Sequence, residues 1–463
     1  MTEGQELAKG LGRYGAMSVV VGTMIGTAIF VVPSLMLKQV GTPLRVLAIW
    51  AAAGGLSLFG ALGYAELGAA IPKAGGEYVY LHRAYGPGMG FLYGWTQFFA
   101  ARTASIAAIS TGFLLYLAYF FPRLSSEFWT ASFSLGRHPL TLRLTGIQAG
   151  AAALIVLLSA INLLGVRRSG AIQTVFTAAK LAVLAAVIVF GLAYGHGSWS
   201  HFRAALGSQA GNSGVLAGVG LAMISALWAY DGWYNLSMVA GEVAEPERNI
   251  PVALIGGSLL VVAVYLAVNV AYFHVLAPSD IEATRTVAAQ TADRVLGRAG
   301  GTLVAAGVLI STFATLNGSI LAGSRIPYAQ ARDGLFPKAL AAVEPRFQTP
   351  AMAIAAQAVI AGILALSGRY QTLYTKAIYA EWVFYGLVTS SLFVLRRREP
   401  KLARPYRTWG YPFVPGIFVT LAALLLAGAF ISDRADALWC LAFIASGIPA
   451  YHLWRKFAHA AKE

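Results

Sequence analysis

Charge is what this sequence has least of. Only 11% of its 463 residues are Asp, Glu, Lys or Arg, and 58% are hydrophobic; a soluble domain carries about 25% charge. Cysteine is rarer still. Cys440 is the only one, which excludes an intrachain disulfide framework, and its place in a late apolar run reads as a small core residue. The seven histidines are scattered without metal-ligand spacing and no H-E-x-x-H occurs, so no metal is expected. No P-loop is present, which removes ATP-driven work by this chain alone, and GPGMG at 86–90 lacks the strand–turn–helix setting of a dinucleotide site. No nucleophile–base pair or ligand set falls on apolar segments, and no filter-like repeat appears. An intramembrane enzyme and a channel are therefore both disfavoured, and no cofactor is expected. The opening MTEGQELAKGLGRYG is short and polar, and no small-residue cleavage site follows, so it does not read as a signal peptide.

What the chain does have is apolar runs of membrane-spanning length, roughly 20 residues each. About twelve can be drawn from end to end, close to 16–37, 44–71, 90–121, 145–164, 170–195, 214–240, 250–277, 300–324, 350–367, 371–395, 412–432 and 436–455. The intervening segments alternate sides. One side receives the N-terminus, IPKAGGEYVYLHRAYGPG, GVRRSG, GEVAEPERNIP, RIPYAQARDGLFPK, RRREPKLARPYRTWG and the final WRKFAHAAKE. That side holds about 20 of the 34 Lys and Arg, the other about 12, with two inside spans. The positive-inside rule puts the richer side, and both termini, in the cytoplasm. The formal charge of +15 is then a topology signal. The expected surround is a lipid bilayer, with no nucleic-acid partner.

Two spans are irregular at mid-depth. The first contains GTMIGTAIF at 22–30, rich in Gly and Thr where a helix needs strong formers. Gly22 and Gly26 also make a G-x-x-x-G, which close helix packing alone would explain. The sixth contains Trp228, Ala229, Tyr230, Asp231, Gly232 and Trp233, with a carboxylate beside a glycine inside the membrane. Interrupted helices at matching places in two halves point to a transporter site. Each break offers free amides that attract a carboxylate and free carbonyls that attract an ammonium. The expected fold is therefore an all-α polytopic membrane protein of about twelve helices. It is a single transporter domain over 1–463, with a 5+5 inverted repeat (14–196 and 213–398), unwound first and sixth helices, and two further helices over 410–457.

At these residues the chain resembles the amino acid–polyamine–organocation superfamily, and within it the L-type amino acid transporters. VGTMIGTAIFVVPS is similar to the family's first-helix pattern and WAYDGWYNLS to its sixth. GEVAEPERNIPVAL, TLNGSILAGSRIPYAQARDGLFPKAL and EWVFYGLVTSSLFVLRRREP with RPYRTWGYPFVP follow in family order, so the resemblance covers essentially the whole chain. It implies a secondary transporter of neutral L-amino acids, a sodium-independent exchanger working by alternating access. The alternative is proton-coupled symport, of amino acids generally or of cationic amino acids and polyamines. The amides around Gly26, Thr27 and Ala28 would take the substrate carboxylate. The carbonyls of Thr23, Met24, Trp228, Ala229 and Asp231 would take the α-ammonium. Trp228 would cap the site, Tyr230 would share the gate, and Asn317 would lie near the pocket. The sequence departs from the pattern at Ala28, where the family usually has glycine, and at Tyr234, which precedes Asn235 after the Gly-Trp pair. Animal L-type members are disulfide-linked to a heavy chain through an extracellular cysteine. With Cys440 alone and in a late span, that link is absent, as in a prokaryotic member in its cytoplasmic membrane.

Five charges stand out. Arg102 and Glu381 lie within the third and tenth spans and call for opposite-charge partners, with direct substrate contact as the other reading. Glu66 ends the second span as an inner-gate or loop-anchoring residue, or else as a solvated helix end. Asp231 either binds the substrate ammonium directly or supports the backbone of the broken helix; the second role is preferred because backbone carbonyls already serve the ammonium. Lys180 lies about three turns inside the fifth span, a long reach for snorkelling, at a cost of at least ~2.5 kcal/mol if unpaired. The resemblance implies that it replaces a sodium ion between the first and eighth helices, bonding carbonyls near Gly22 and the region Ser311 to Asn317.

Overall fold

The computed structural model describes residues 11–73, 75–135, 138–163, 169–194, 197–206, 214–345, 347, 349–367, 370–432 and 434–460. The first ten residues, most of GVRRSG and Lys462, which contribute to the charge-based topology, lie outside these. So do the repeat boundary residues 196 and 213.

In chain order the helices are α1 (Arg13–Met24), α2 (Ala28–Val40), α3 (Pro43–Ala70), α4 (Glu77–Tyr85), α5 (Pro87–Thr96), α6 (Arg102–Phe120), α7 (Gly146–Leu163), α8 (Ser169–Ala193), α9 (Gly214–Ala229) and α10 (Asn235–Met238). They continue with α11 (Pro246–Val275), α12 (Pro278–Ala283), α13 (Val287–Gly323), α14 (Arg325–Arg332), α15 (Ala351–Ser367), α16 (Tyr370–Arg398), α17 (Phe413–Ser432) and α18 (Arg434–Ala460). Among the described residues, nine helical stretches are long and apolar enough to cross a membrane. Three more, Ala217–Ala229, Ala351–Ser367 and Phe413–Gly428, are apolar but shorter. Proline at the first turn of α3, α5 and α11 starts these helices where a missing amide costs nothing.

The chain is not wholly α. Between α6 and α7 an antiparallel hairpin pairs β1 (Glu127–Leu135) with β2 (His138–Thr145), Trp129 opposite Leu144 and Leu135 opposite His138. EFWTASFSL and HPLTLRLT alternate apolar and polar residues, the period of a half-buried strand. Hydropathy over a span-length window averages that alternation away.

The core lies where broken and unbroken helices cross. α3 runs along α11, α1 packs on α11 and α8, and α13 packs on α8 and α6. At the end where α3 and α16 finish, the segment after α16 is locked to α3. Arg396 donates to Glu66 through Nε (2.9 Å) and Nη2 (2.6 Å), and the Thr408 amide donates to the same carboxylate at 2.7 Å. Arg404 Nε lies 3.3 Å away. Glu66 is 1% exposed, so it is an anchor for this loop and not a solvated end. Nearby, bidentate Arg83 holds the Glu399 carboxyl below the usual carboxylate range. Glu66→Ala leaves two guanidinium groups facing a buried vacancy. For a pair buried on one side only, the cost is about 3 kcal/mol, and the thermal unfolding midpoint of the purified protein should fall by several degrees. An unchanged midpoint would show that the loop is held elsewhere.

Candidate functional site

Helix α1 stops at Met24 and α2 restarts at Ala28, leaving Ile25–Thr27 out of the helix. Helix α9 stops at Ala229 and α10 begins at Asn235. The two gaps face each other. Thr23 Oγ1 donates to Gly232 O at 2.8 Å, and Gly232 has φ +109°. A Cβ there would stand 2.9 Å from Thr23 O, so this crossing of backbones needs glycine.

Breaking a helix orphans carbonyls, and four of those at the two breaks are met by a side chain from a third helix. Lys180 of α8 donates to Gly22 O at 2.6 Å and Ile25 O at 3.0 Å, and also to the Thr315 hydroxyl of α13. Thr315 Oγ1 itself reaches both carbonyls at 3.3 Å. Lys180 is buried, so its ammonium is a fixed cation wedged between α1, α8 and α13. The Tyr265 hydroxyl of α11 donates to Met24 O at 2.8 Å and Ala229 O at 3.1 Å, one carbonyl from each break.

Beside the breaks lies a small cavity of about 20 Å³ lined by Thr23, Met24, Gly26, Thr27, Ala28, Arg102, Trp228 and Asp231, with Ser105, Ile109, Thr315 and Ser319 among the rest of its wall. Thr27 is 1% exposed, and its hydroxyl has no hydrogen-bond partner among the described residues. A polar solute in the cavity would supply one. Trp228 stacks on Tyr374, ring centroids 5.7 Å apart and planes 15° apart.

Three expected residues sit elsewhere. Tyr230 packs behind the break against Trp50 and Tyr265. Asn317 turns toward α7, accepting from Asn162 Nδ2 at 2.7 Å. Ala229 presents its carbonyl to Tyr265 and not to the cavity. Asp231 accepts from the Tyr385 hydroxyl at 2.6 Å, with the Gly232 amide as a second donor. Arg102 and Glu381 are joined indirectly: Arg102 Nη2 donates to Tyr234 Oη (2.9 Å) and Asn235 Oδ1 (3.0 Å), and Tyr234 Oη donates to Glu381 at 3.1 Å. Gln97, which opens the π-helical turn Gln97–Ala101 just before Arg102, donates to Glu381 at 2.8 Å.

A sequence profile described as amino acid permease matches residues 11–448. The chain belongs to the amino acid permease family. Among relatives of this permease, the human b(0,+)-type amino acid transporter 1 is 36% identical, covering 98% of this chain and 90% of that protein. The serine/threonine exchanger SteT of Bacillus subtilis is 33% identical over 98% of this chain and 99% of its own length. The human cystine/glutamate transporter is 31% identical over 95% and 83%.

Tyr265 was missed because a tyrosine in an apolar run reads as an interfacial anchor. The available signal was its position midway along VVAVYLAVNV, far from either end of the permease's longest uninterrupted helix after α13. Tyr265→Phe removes the donor shared by the two breaks. Apparent affinity for a bound amino acid should weaken about 5- to 10-fold, as for the loss of roughly one hydrogen bond, with thermal stability little changed. An unaltered affinity by isothermal titration would deny Tyr265 any part in shaping the breaks.

Proposed function

We propose that this protein is a secondary transporter that exchanges neutral L-amino acids across the membrane by alternating access, with the cavity between the two helix breaks as its substrate site. The observation that carries this reading is the cavity wall itself. Backbone from both breaks and the Thr27 hydroxyl, which has no hydrogen-bond partner among the described residues, meet at one small space. The relatives, named as an amino acid transporter and as exchangers or transporters of particular amino acids, support the solute class. The amides around Gly26, Thr27 and Ala28 take the carboxylate. The carbonyls of Thr23, Met24, Trp228 and Asp231 serve the α-ammonium, and that of Ala229 contributes through Tyr265, whose hydroxyl it shares with Met24 O. Trp228 caps the cavity with Tyr374, and Tyr230 backs the gate. Lys180 occupies the place of a coupling cation, so exchange runs without sodium.

Nine long and three shorter apolar helices support a twelve-span arrangement in one domain over 1–463. Residues 14–196 and 213–398 are its inverted repeats, and 410–457 its added pair. The basic segments favour cytoplasmic termini in the cell membrane of a prokaryote, and buried Cys440 suits a chain with no disulfide-linked heavy chain. Transport, not catalysis, is its work. Asp231 on the cavity wall favours a second reading, proton-coupled symport or carriage of cationic amino acids and polyamines.

Counterflow separates these. Liposomes holding the protein and unlabelled L-serine should accumulate labelled L-serine equally in sodium and in choline, with no need of a pH gradient. Loss of uptake in choline would overturn sodium independence. Concentrative uptake into unloaded liposomes driven by an imposed pH gradient would favour symport. Counterflow with none of the twenty amino acids would sink the exchange reading.

A further inference from the structure

Behind the cavity wall lies a buried polar cluster that the transport reading does not use. Glu77 at the start of α4 is fully buried and accepts hydroxyl hydrogens from Tyr64 of α3 and, at 2.7 Å, from Tyr93 of α5. Glu381 of α16 is 1% exposed and accepts from Gln97 and Tyr234. Asp231 at the second break accepts from Tyr385 of α16. Tyr385, whose hydroxyl donates to Asp231 and also hydrogen-bonds Glu381, packs its ring on Tyr64, the donor to Glu77, so the three carboxyl groups sit in one connected cluster.

Among the described residues, every hydrogen-bond donor named above for these carboxylates is neutral. Arg102 of α6 is the cation among them, and among the described residues it donates to the Tyr234 hydroxyl, the Asn235 amide oxygen and Met238 sulfur, not to a carboxylate. A second buried cation, Lys180, is turned to the far side of the first break and spends its donors on Gly22, Ile25 and Thr315. Three carboxylates therefore share one guanidinium inside a low-dielectric core. Leaving two negative charges uncompensated costs several kcal/mol each, and such groups take up protons instead.

We propose that Glu77, Asp231 and Glu381 form a proton-binding site that holds two protons among three carboxyl groups near neutral pH, leaving the cluster uncharged overall with Arg102. The protons are delocalised over the unit and belong to no single residue. Asp231 is the member that touches the cavity. A cation arriving there lets one proton leave through the cavity, carboxylic acid becoming carboxylate, and the net charge of the site is unchanged. A neutral solute displaces none, so neutral-for-neutral exchange moves no net proton.

Infrared spectroscopy of the whole purified protein reads the protons directly. The wild type at neutral pH should show a protonated-carboxyl stretch that declines as the buffer is made alkaline. Glu77→Gln and Glu381→Gln each leave two acids with Arg102, a unit that needs one proton. The amplitude lost in either variant should equal about half of what the double variant loses together with Asp231→Asn. Absence of the band in the wild type would overturn the proposal without any variant. So would a band that survives undiminished in all the substituted proteins. This readout involves no solute. It therefore stands or falls separately from the exchange reading, on which only the link between proton release and a cationic solute rests.

Discussion

Lys180→Ala is expected to cut amino acid counterflow about 10- to 100-fold while the protein stays folded. The ammonium holds the carbonyls of Gly22 and Ile25, on either side of the end of α1, and ties them to Thr315 on α13. A hydrogen bond to a charged group is worth about 1.5–3 kcal/mol, and each 1.4 kcal/mol is tenfold in an equilibrium. Without it the two carbonyls keep only the longer 3.3 Å contacts of Thr315, and the end of α1 loses its fixed position beside the cavity. Global stability should change much less, because deleting the ammonium also removes the cost of burying it. The check is initial-rate counterflow alongside thermal unfolding of the same preparation. Wild-type kinetics in the variant would remove Lys180 from the working parts of the site.

Gly232→Ala should be at least as damaging. At φ +109° a side chain is strained by about 1–3 kcal/mol, and here its Cβ would also meet Thr23 O at 2.9 Å and Thr23 C at 3.0 Å. Those atoms are backbone, and they are pinned because the Thr23 hydroxyl donates to Gly232 O. Relief requires the two breaks to part, which reshapes the wall from Thr23 to Asp231. Counterflow should fall more than tenfold. Gly55→Ala is the matched control: it lies in the middle of α3 with nothing within 4 Å of the added carbon, and it should transport normally. Equal activity of the two variants would mean that the crossing of the breaks tolerates separation.

The breaks were legible because they violate a strong rule. Weak helix formers and an Asp-Gly pair at mid-membrane have few structural excuses, and Gly22–Ala28 and Trp228–Trp233 advertise themselves. Lys180 was legible for the same reason, since a charge deep in an apolar run must be met by something. What stayed hidden was helical phase. Asn317 and Thr315 are two residues apart on α13, yet Thr315 faces Lys180 and the cavity while Asn317 faces α7; no single sequence tells which side of an apolar helix looks inward. The partners of Arg102 and Glu381 were hidden too, because the link runs through the neutral hydroxyl of Tyr234, and a search for opposite charges passes over it. The hairpin over Glu127–Thr145 escaped a reading tuned to runs of about 20 residues.

Tyr265 carries one consequence for how a solute is felt. A phenol has a single hydrogen, and here two carbonyls claim it, Met24 O and Ala229 O. At any instant it can serve one of them fully. In the proposed exchange an incoming ammonium, with three hydrogens, would take over Met24 O on the cavity wall, and the phenol would settle on Ala229 O. The site is thus primed by a rationed proton donor. The half-helices on the two sides of the cavity, 205 residues apart in sequence by the positions of Met24 and Ala229, would then register the arrival of one end of the solute together, through the swing of one O–H bond.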